Sequence, residues 1–126
     1  MIYKTETTYP LKTVKAQLEE KAKQLGFGIL GSYEFKKLLK ERGFEITRDV
    51  TVYELCNPAA AHKALSTLPE ISVYLPCKLS LYTQNGVTVL ATIGIEDMLN
   101  AVDVDDALKA HLQEIFDNIR ALMNSW

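Results

Sequence analysis

A chain of 126 residues with 48% apolar and 24% charged side chains has the length and composition of one compact domain, able to fold around a single core without metal or disulfide support. Fourteen basic against sixteen acidic side chains give a formal charge of -2, with neither sign gathered in a run, and this disfavours nucleic acid as a partner, since phosphate binding calls for a basic surplus or stripe. No segment approaches the roughly 20 apolar residues of a membrane span, Met1 to Glu6 hold no apolar leader core, and the two cysteines, Cys56 and Cys77, fit reduced thiols in a cytoplasmic protein better than a structural disulfide.

Ile2 to Thr7 reads as an opening strand. Pro10 suits a first helical turn, where its missing N–H costs nothing, and Leu11, Val14, Leu18, Ala22 and Leu25 then recur at three- and four-residue steps. That spacing predicts an amphipathic surface helix, ended by Gly26 with Phe27 packing just beyond it. Phe27 to Tyr33 reads as a strand in which Gly28 and Gly31 permit a bulge or a close backbone approach. Gly26, Gly28 and Gly31 spell G-x-G-x-x-G, but they follow a helix, whereas a dinucleotide loop needs strand, loop and helix in that order. No cofactor is therefore expected. Phe35, Leu38 and Leu39 mark a short helix stopped at Gly43.

Val50 to Leu55 is rich in strand formers and runs into Cys56-Asn57-Pro58. Asn57 suits an N-cap and Pro58 a first helical position, so a helix begins where the strand ends and stops by Leu68, ahead of Pro69. After Ile71 to Leu75 comes Pro76-Cys77-Lys78. Asn85-Gly86 is a type I′ hairpin signal between Cys77–Thr83 and Thr88–Ile93. With Gln84 opposite Val87, Leu81 meets Leu90 and Leu79 meets Thr92 on one face, while Tyr82 meets Val89, Ser80 meets Ala91 and Lys78 meets Ile93 on the other. Both faces carry apolar groups, which calls for helices against one and further cover, such as a second subunit, against the other. A homodimer is expected. Ile95 to Val102 reads as a loop or single helical turn, and Asp103 with Asp106 as the capping carboxylates of a terminal helix. Its stripe is Leu108, Leu112, Ile115, Ile119, Leu122 and Trp126, widened by Phe116 and Met123. No repeat or linker interrupts the chain, so residues 1–126 form one domain.

Gly26-Phe27-Gly28 after a helix, Leu38-Leu39, Cys56-Asn57-Pro58, Leu75-Pro76-Cys77-Lys78 and an Asn-Gly hairpin, in that order, resemble the family called domain of unknown function 302 over about residues 1 to 100. The resemblance implies a two-layer α+β fold, an antiparallel sheet with helices packed on one face, similar to the TATA-binding-protein-like architecture and seen as a dimer. It implies no reaction. The chain departs from the family pattern at Lys78, where arginine is usual, and at Gly94-Ile95-Glu96, where a proline usually follows the last strand. Lysine lacks the planar fork that holds an anion in two parallel bonds.

The two cysteine triplets are the site candidates. Cys56 stands immediately before a capped helix N-terminus, a placement that stabilises a thiolate, although free cysteine also packs as a small hydrophobe. Cys56 and Cys77 are thus candidate catalytic thiols, and Cys56, Asn57, Pro58, Pro76, Cys77 and Lys78 are the expected border of a small-molecule cleft. Cys56, Cys77, His62 and Glu96 are the available metal donors, but no metal-ligand spacing joins them, so no metal is expected. His62 reads as solvent-facing and His111 as a boundary residue of the terminal helix. Lys78 faces away from Cys77 on a regular strand, and the row Val87, Val89, Ala91, Ile93 reads as core or interface rather than a lipid slot. The leading reading is a binding or sensing module, against a thiol-dependent redox or transfer enzyme with Cys56 as nucleophile and Cys77 as resolving thiol, or an interaction domain with no ligand.

Overall fold

The computed structural model describes residues 1–126. In chain order the elements are β1 (Ile2–Thr7), α1 (Leu11–Gln24), β2 (Gly28–Glu34), α2 (Phe35–Glu41), β3 (Val50–Cys56), α3 (Pro58–Thr67), a 3-10 segment (Pro69–Tyr74), β4 (Cys77–Gln84), β5 (Val87–Ile93), α4 (Ile95–Ala101) and α5 (Asp106–Met123). The five strands form one antiparallel sheet in the order β1-β5-β4-β3-β2. Its helix-facing rows bury Leu55, Leu79, Leu81 and Leu90 against Val14, Leu18 and Ala22 of α1 and Ile115, Ile119 and Leu122 of α5. The expected two-layer α+β architecture with helices on one face is the observed one.

Local chemistry explains the element ends. Gly26 takes φ +87°, and past it the Phe27 amide donates to Ala22 O at 2.9 Å, so α1 closes in the left-handed turn that glycine makes cheaply. Asn85 and Gly86 take φ values of 51° and 80°, and the hairpin pairs Gln84 with Val87, Tyr82 with Val89 and Ser80 with Ala91, the register that the alternation predicts. A register shift between Ile29 and Gly31 places the expected bulge in β2.

Two details of the last third differ from expectation. Ile95–Ala101 is a helix, α4, with Ile95 and Met98 buried, and they join Leu108, Leu112 and Phe116 in a second core cluster. The cap of α5 is Asp105, whose side chain accepts from the Leu108 amide at 2.8 Å. It displaces Asp103 from that role because a capping oxygen reaches only the N–H groups two or three residues on.

Part of the outer side of the hairpin is buried within the chain itself. Val89 and Ala91 are 2% and 8% exposed, so the two-faced apolar pattern does not by itself require a second subunit. What stays open on that side is a rim of large apolar residues, Val73 (78%), Ile2 (65%) and Ile93 (40%).

Candidate functional site

Strand β3 ends in Cys56 and hands over to α3 through the Asn57 cap, whose Oδ1 accepts from the Ala60 amide at 3.0 Å, with Pro58 in the first helical turn. Beside this corner β4 begins at Cys77, next to Leu55 of β3 in the ladder. The Leu75–Pro76 peptide that leads into it is cis. Gly26 lies against the same corner: a Cβ there would stand 3.1 Å from Asn57 Nδ2, so the end of α1 and the start of α3 are fitted to each other. Replacing Asn57 with alanine removes the cap, and a loss of about 1 kcal/mol of unfolding free energy is expected in urea denaturation.

An inner hollow of about 280 Å³ opens between this corner and the helices. Cys56, Asn57, Pro76 and Cys77 line it, with Ala60, Ala61 and Ala64 of α3 and Leu112, Ile115 and Phe116 of α5 among the apolar walls. Four of the six expected border residues are therefore brought to one space. Pro58 is not among its lining residues, and Lys78, on the next position of β4, belongs to the opposite face of the sheet.

Both thiols are free. The Cys77 side chain packs against the main core, and burial, with a smaller push from nearby Cys56, raises its pKa from the usual 9.0 to about 11. At neutral pH about one Cys77 in ten thousand is then a thiolate, the form needed for nucleophilic attack. His62 is exposed, in keeping with its reading as a solvent-facing residue. No group of three or more histidine, cysteine, aspartate and glutamate side chains converges on a common point.

An outer hollow of about 750 Å³ lies on the open face of the sheet. Its floor follows one row across the strands, in which Lys4 pairs with Ala91, Ala91 with Ser80 and Ser80 with Val52. Ile2 and Ile93 stand on one side, and Val73 to Pro76 rise at the strand ends, so Leu75 and Pro76 border both hollows. Lys78 lies 3.4 Å from Glu54 Oε2. The Tyr33 hydroxyl donates to Glu54 Oε1 at 2.5 Å, which lowers the Glu54 pKa and raises that of Tyr33. Gly31 makes room for this carboxylate, since a Cβ there would sit 3.0 Å from Glu54 Oε1.

Sequence reasoning missed the outer hollow. The facing pairs of the hairpin were legible, but the fold of Val73 to Pro76 over the strand ends was not, because that segment carries no periodic pattern. A small residue pair, Ser80 and Ala91, between bulkier neighbours was the available signal.

A family model described as "Domain of unknown function DUF302" matches residues 3–126, so the similarity runs on through α5 instead of stopping near residue 100. Among solved structures the chain is similar to an uncharacterized conserved DUF302 protein from Bacillus stearothermophilus, at 28% identity and a TM-score of 0.85, with 98% of this chain and 95% of that one covered. No curated protein matches the chain. No helix is long and apolar enough to cross a membrane.

Proposed function

The chain belongs to the domain of unknown function 302 family, and on that premise we propose that it is a small binding or sensing module that takes an apolar small molecule into the inner hollow. One observation carries the reading: two free thiols, an Asn cap and Ser72 border a space otherwise lined by apolar side chains. That is the composition of a ligand pocket, mostly apolar with a few fixed polar groups. The raised Cys77 pKa argues against Cys77 as an attacking thiol, because a protonated thiol is a weak hydrogen-bond donor and a poor nucleophile. Free thiols also fit a reducing compartment, and we assign the protein to the cytoplasm on that ground.

Iodoacetamide labelling of the native chain from about pH 6 to 9 separates this reading from the thiol enzyme. The expected outcome is that Cys77 is labelled only on unfolding and that Cys56 reacts no faster than a cysteine in a peptide. A single fast thiol with half-maximal reaction near neutral pH overturns the binding reading and makes Cys56 the nucleophile.

A homodimer remains part of the proposal, but its contact moves. Leu30, Tyr33 and Phe35 are exposed on β2 and the start of α2, beside the unpaired edge of the sheet. An edge strand flanked by large apolar side chains is a ready surface for pairing with another copy. Native mass spectrometry at micromolar concentration is expected to give twice the chain mass, reduced to one chain by Leu30→Asp. A monomer in the unaltered protein contradicts it.

A further inference from the structure

We infer that the outer hollow is a second binding site, for an anionic amphiphile: a single negative head group carried on an apolar tail, such as a medium-chain carboxylate. The site lies on the other face of the sheet from the inner hollow, sharing only the Leu75–Pro76 wall with it, and would survive the failure of that reading. Its volume of about 750 Å³ lies within the range of small-ligand cavities. Its walls are apolar at Ile2, Val52, Val73 and Ile93, and three of these keep large exposed surfaces toward solvent. A molecule seated among them removes that surface from water, which is the favourable term for an apolar tail.

Charge selects the head group. The only charged residues lining the hollow are Lys4 and Lys78. Glu54 offsets Lys78 from outside the lining, and Tyr33 holds that carboxylate in place. Lys4 takes part in none of the ion pairs of the chain, which join Met1 to Asp97, Lys15 to Glu34, Lys78 to Glu54 and Arg120 to Glu96, and the nearest acidic residue along its strand face is Glu6, two positions on. An apolar trough rimmed by two ammonium groups, one of them in no ion pair, attracts an anion and repels a cation of the same shape. Lys4 is thus the head-group residue, and Lys78 adds a weaker pull because Glu54 shares it.

The row that the sequence presents as core or interface divides accordingly. Val89 and Ala91 are buried within one chain, Ala91 in the floor of the hollow, and Ile93 is left at its rim.

Calorimetric titration of the full chain with decanoate, decanol and decylamine, each below its critical micelle concentration, tests the assignment. Decanoate is expected to bind saturably with one site per chain, decanol at least tenfold more weakly, and decylamine not measurably. Lys4→Gln should weaken decanoate tenfold or more and Lys78→Gln by less. Val73→Asp, at a solvent-exposed position that leaves folding intact, should also cost tenfold or more by setting a negative charge in the wall. Equal binding of decylamine, or decanoate affinity indifferent to both Lys4→Gln and Val73→Asp, overturns the proposal. So does binding seen only with vesicles of phosphatidylglycerol, which would make the face a membrane contact. If decanoate fails and Val73→Asp instead converts a dimer to a monomer, a second copy covers the face and the assignment falls.

Discussion

Replacing Ile119 with alanine is expected to lower the unfolding free energy by roughly 3–5 kcal/mol, the upper range for deleting a fully packed aliphatic side chain. Ile119 is 0% exposed, at the centre of the α5 stripe and inside the main core. Deletion there leaves a cavity with packed atoms on every side, and each lost contact is a full one. Ile115, one turn earlier, is 8% exposed and lines the inner hollow. Its wall already faces open space, so Ile115→Ala removes fewer contacts and is expected to cost clearly less, nearer 2 kcal/mol. Urea denaturation of both variants with unchanged m-values checks the order. Equal losses would mean that the hollow closes in solution, and the binding reading would lose its site.

The second large effect is a dependence of stability on pH that belongs to Cys77. Its pKa is about 11 in the folded chain against about 9 unfolded. A group whose folded pKa is raised contributes its full stabilisation below the unfolded value, and that contribution is lost as pH rises through the folded one. Between about pH 9 and 11 the unfolded chain gives up the thiol proton while the folded chain keeps it. The loss amounts to about 2–3 kcal/mol. Tyr53, raised chiefly by burial, adds to the decline at the top of this window, so the comparison has to be differential. Cys77→Ala carries a fixed packing cost at every pH but lacks the titration, and the gap between it and the unaltered chain is expected to shrink by about 2–3 kcal/mol across the window. A gap that stays constant would mean that Cys77 ionises freely when folded, and the thiol chemistry set aside for it would return.

Much of the fold was legible because it rests on local rules with strong periods. The Asn85-Gly86 turn fixes the register of β4 and β5, the stripe from Leu108 to Met123 fixes the buried face of α5, and Asn57-Pro58 marks the start of α3. Where the reading slipped, a short-range signal had two solutions. Asp103, Asp105 and Asp106 all offer capping oxygens, and only the backbone decides that Asp105 reaches the Leu108 amide. Ile95 to Ala101 lacks the length for a clear period, and its helix is held by burial of Ile95 and Met98 against α5.

The site was legible in part for the same reason. Cys56 and Asn57 are tied to a strand end and a helix cap, and Pro76 and Cys77 to the entry of the next strand, so ladder pairing brings them together. Lys78 could be assigned to the other face by alternation alone. The space between the corner and α5, and the rise of Val73 to Pro76 beside the open face, come from tertiary packing that no local pattern encodes.

The central claim is that the inner hollow receives a small apolar molecule beside Cys56 and Cys77. Backbone amide NMR of the full chain titrated with indole tests it most directly. The account predicts saturable shifts confined to residues that line the hollow, among them Cys56, Asn57, Ala60, Ala61, Ala64 and Cys77 and, on α5, Leu112, Ile115 and Phe116, abolished by Ala61→Phe, which fills the space from a partly exposed helix position. Shifts that are absent, that scatter over the whole surface without saturating, or that persist unchanged in Ala61→Phe would contradict it.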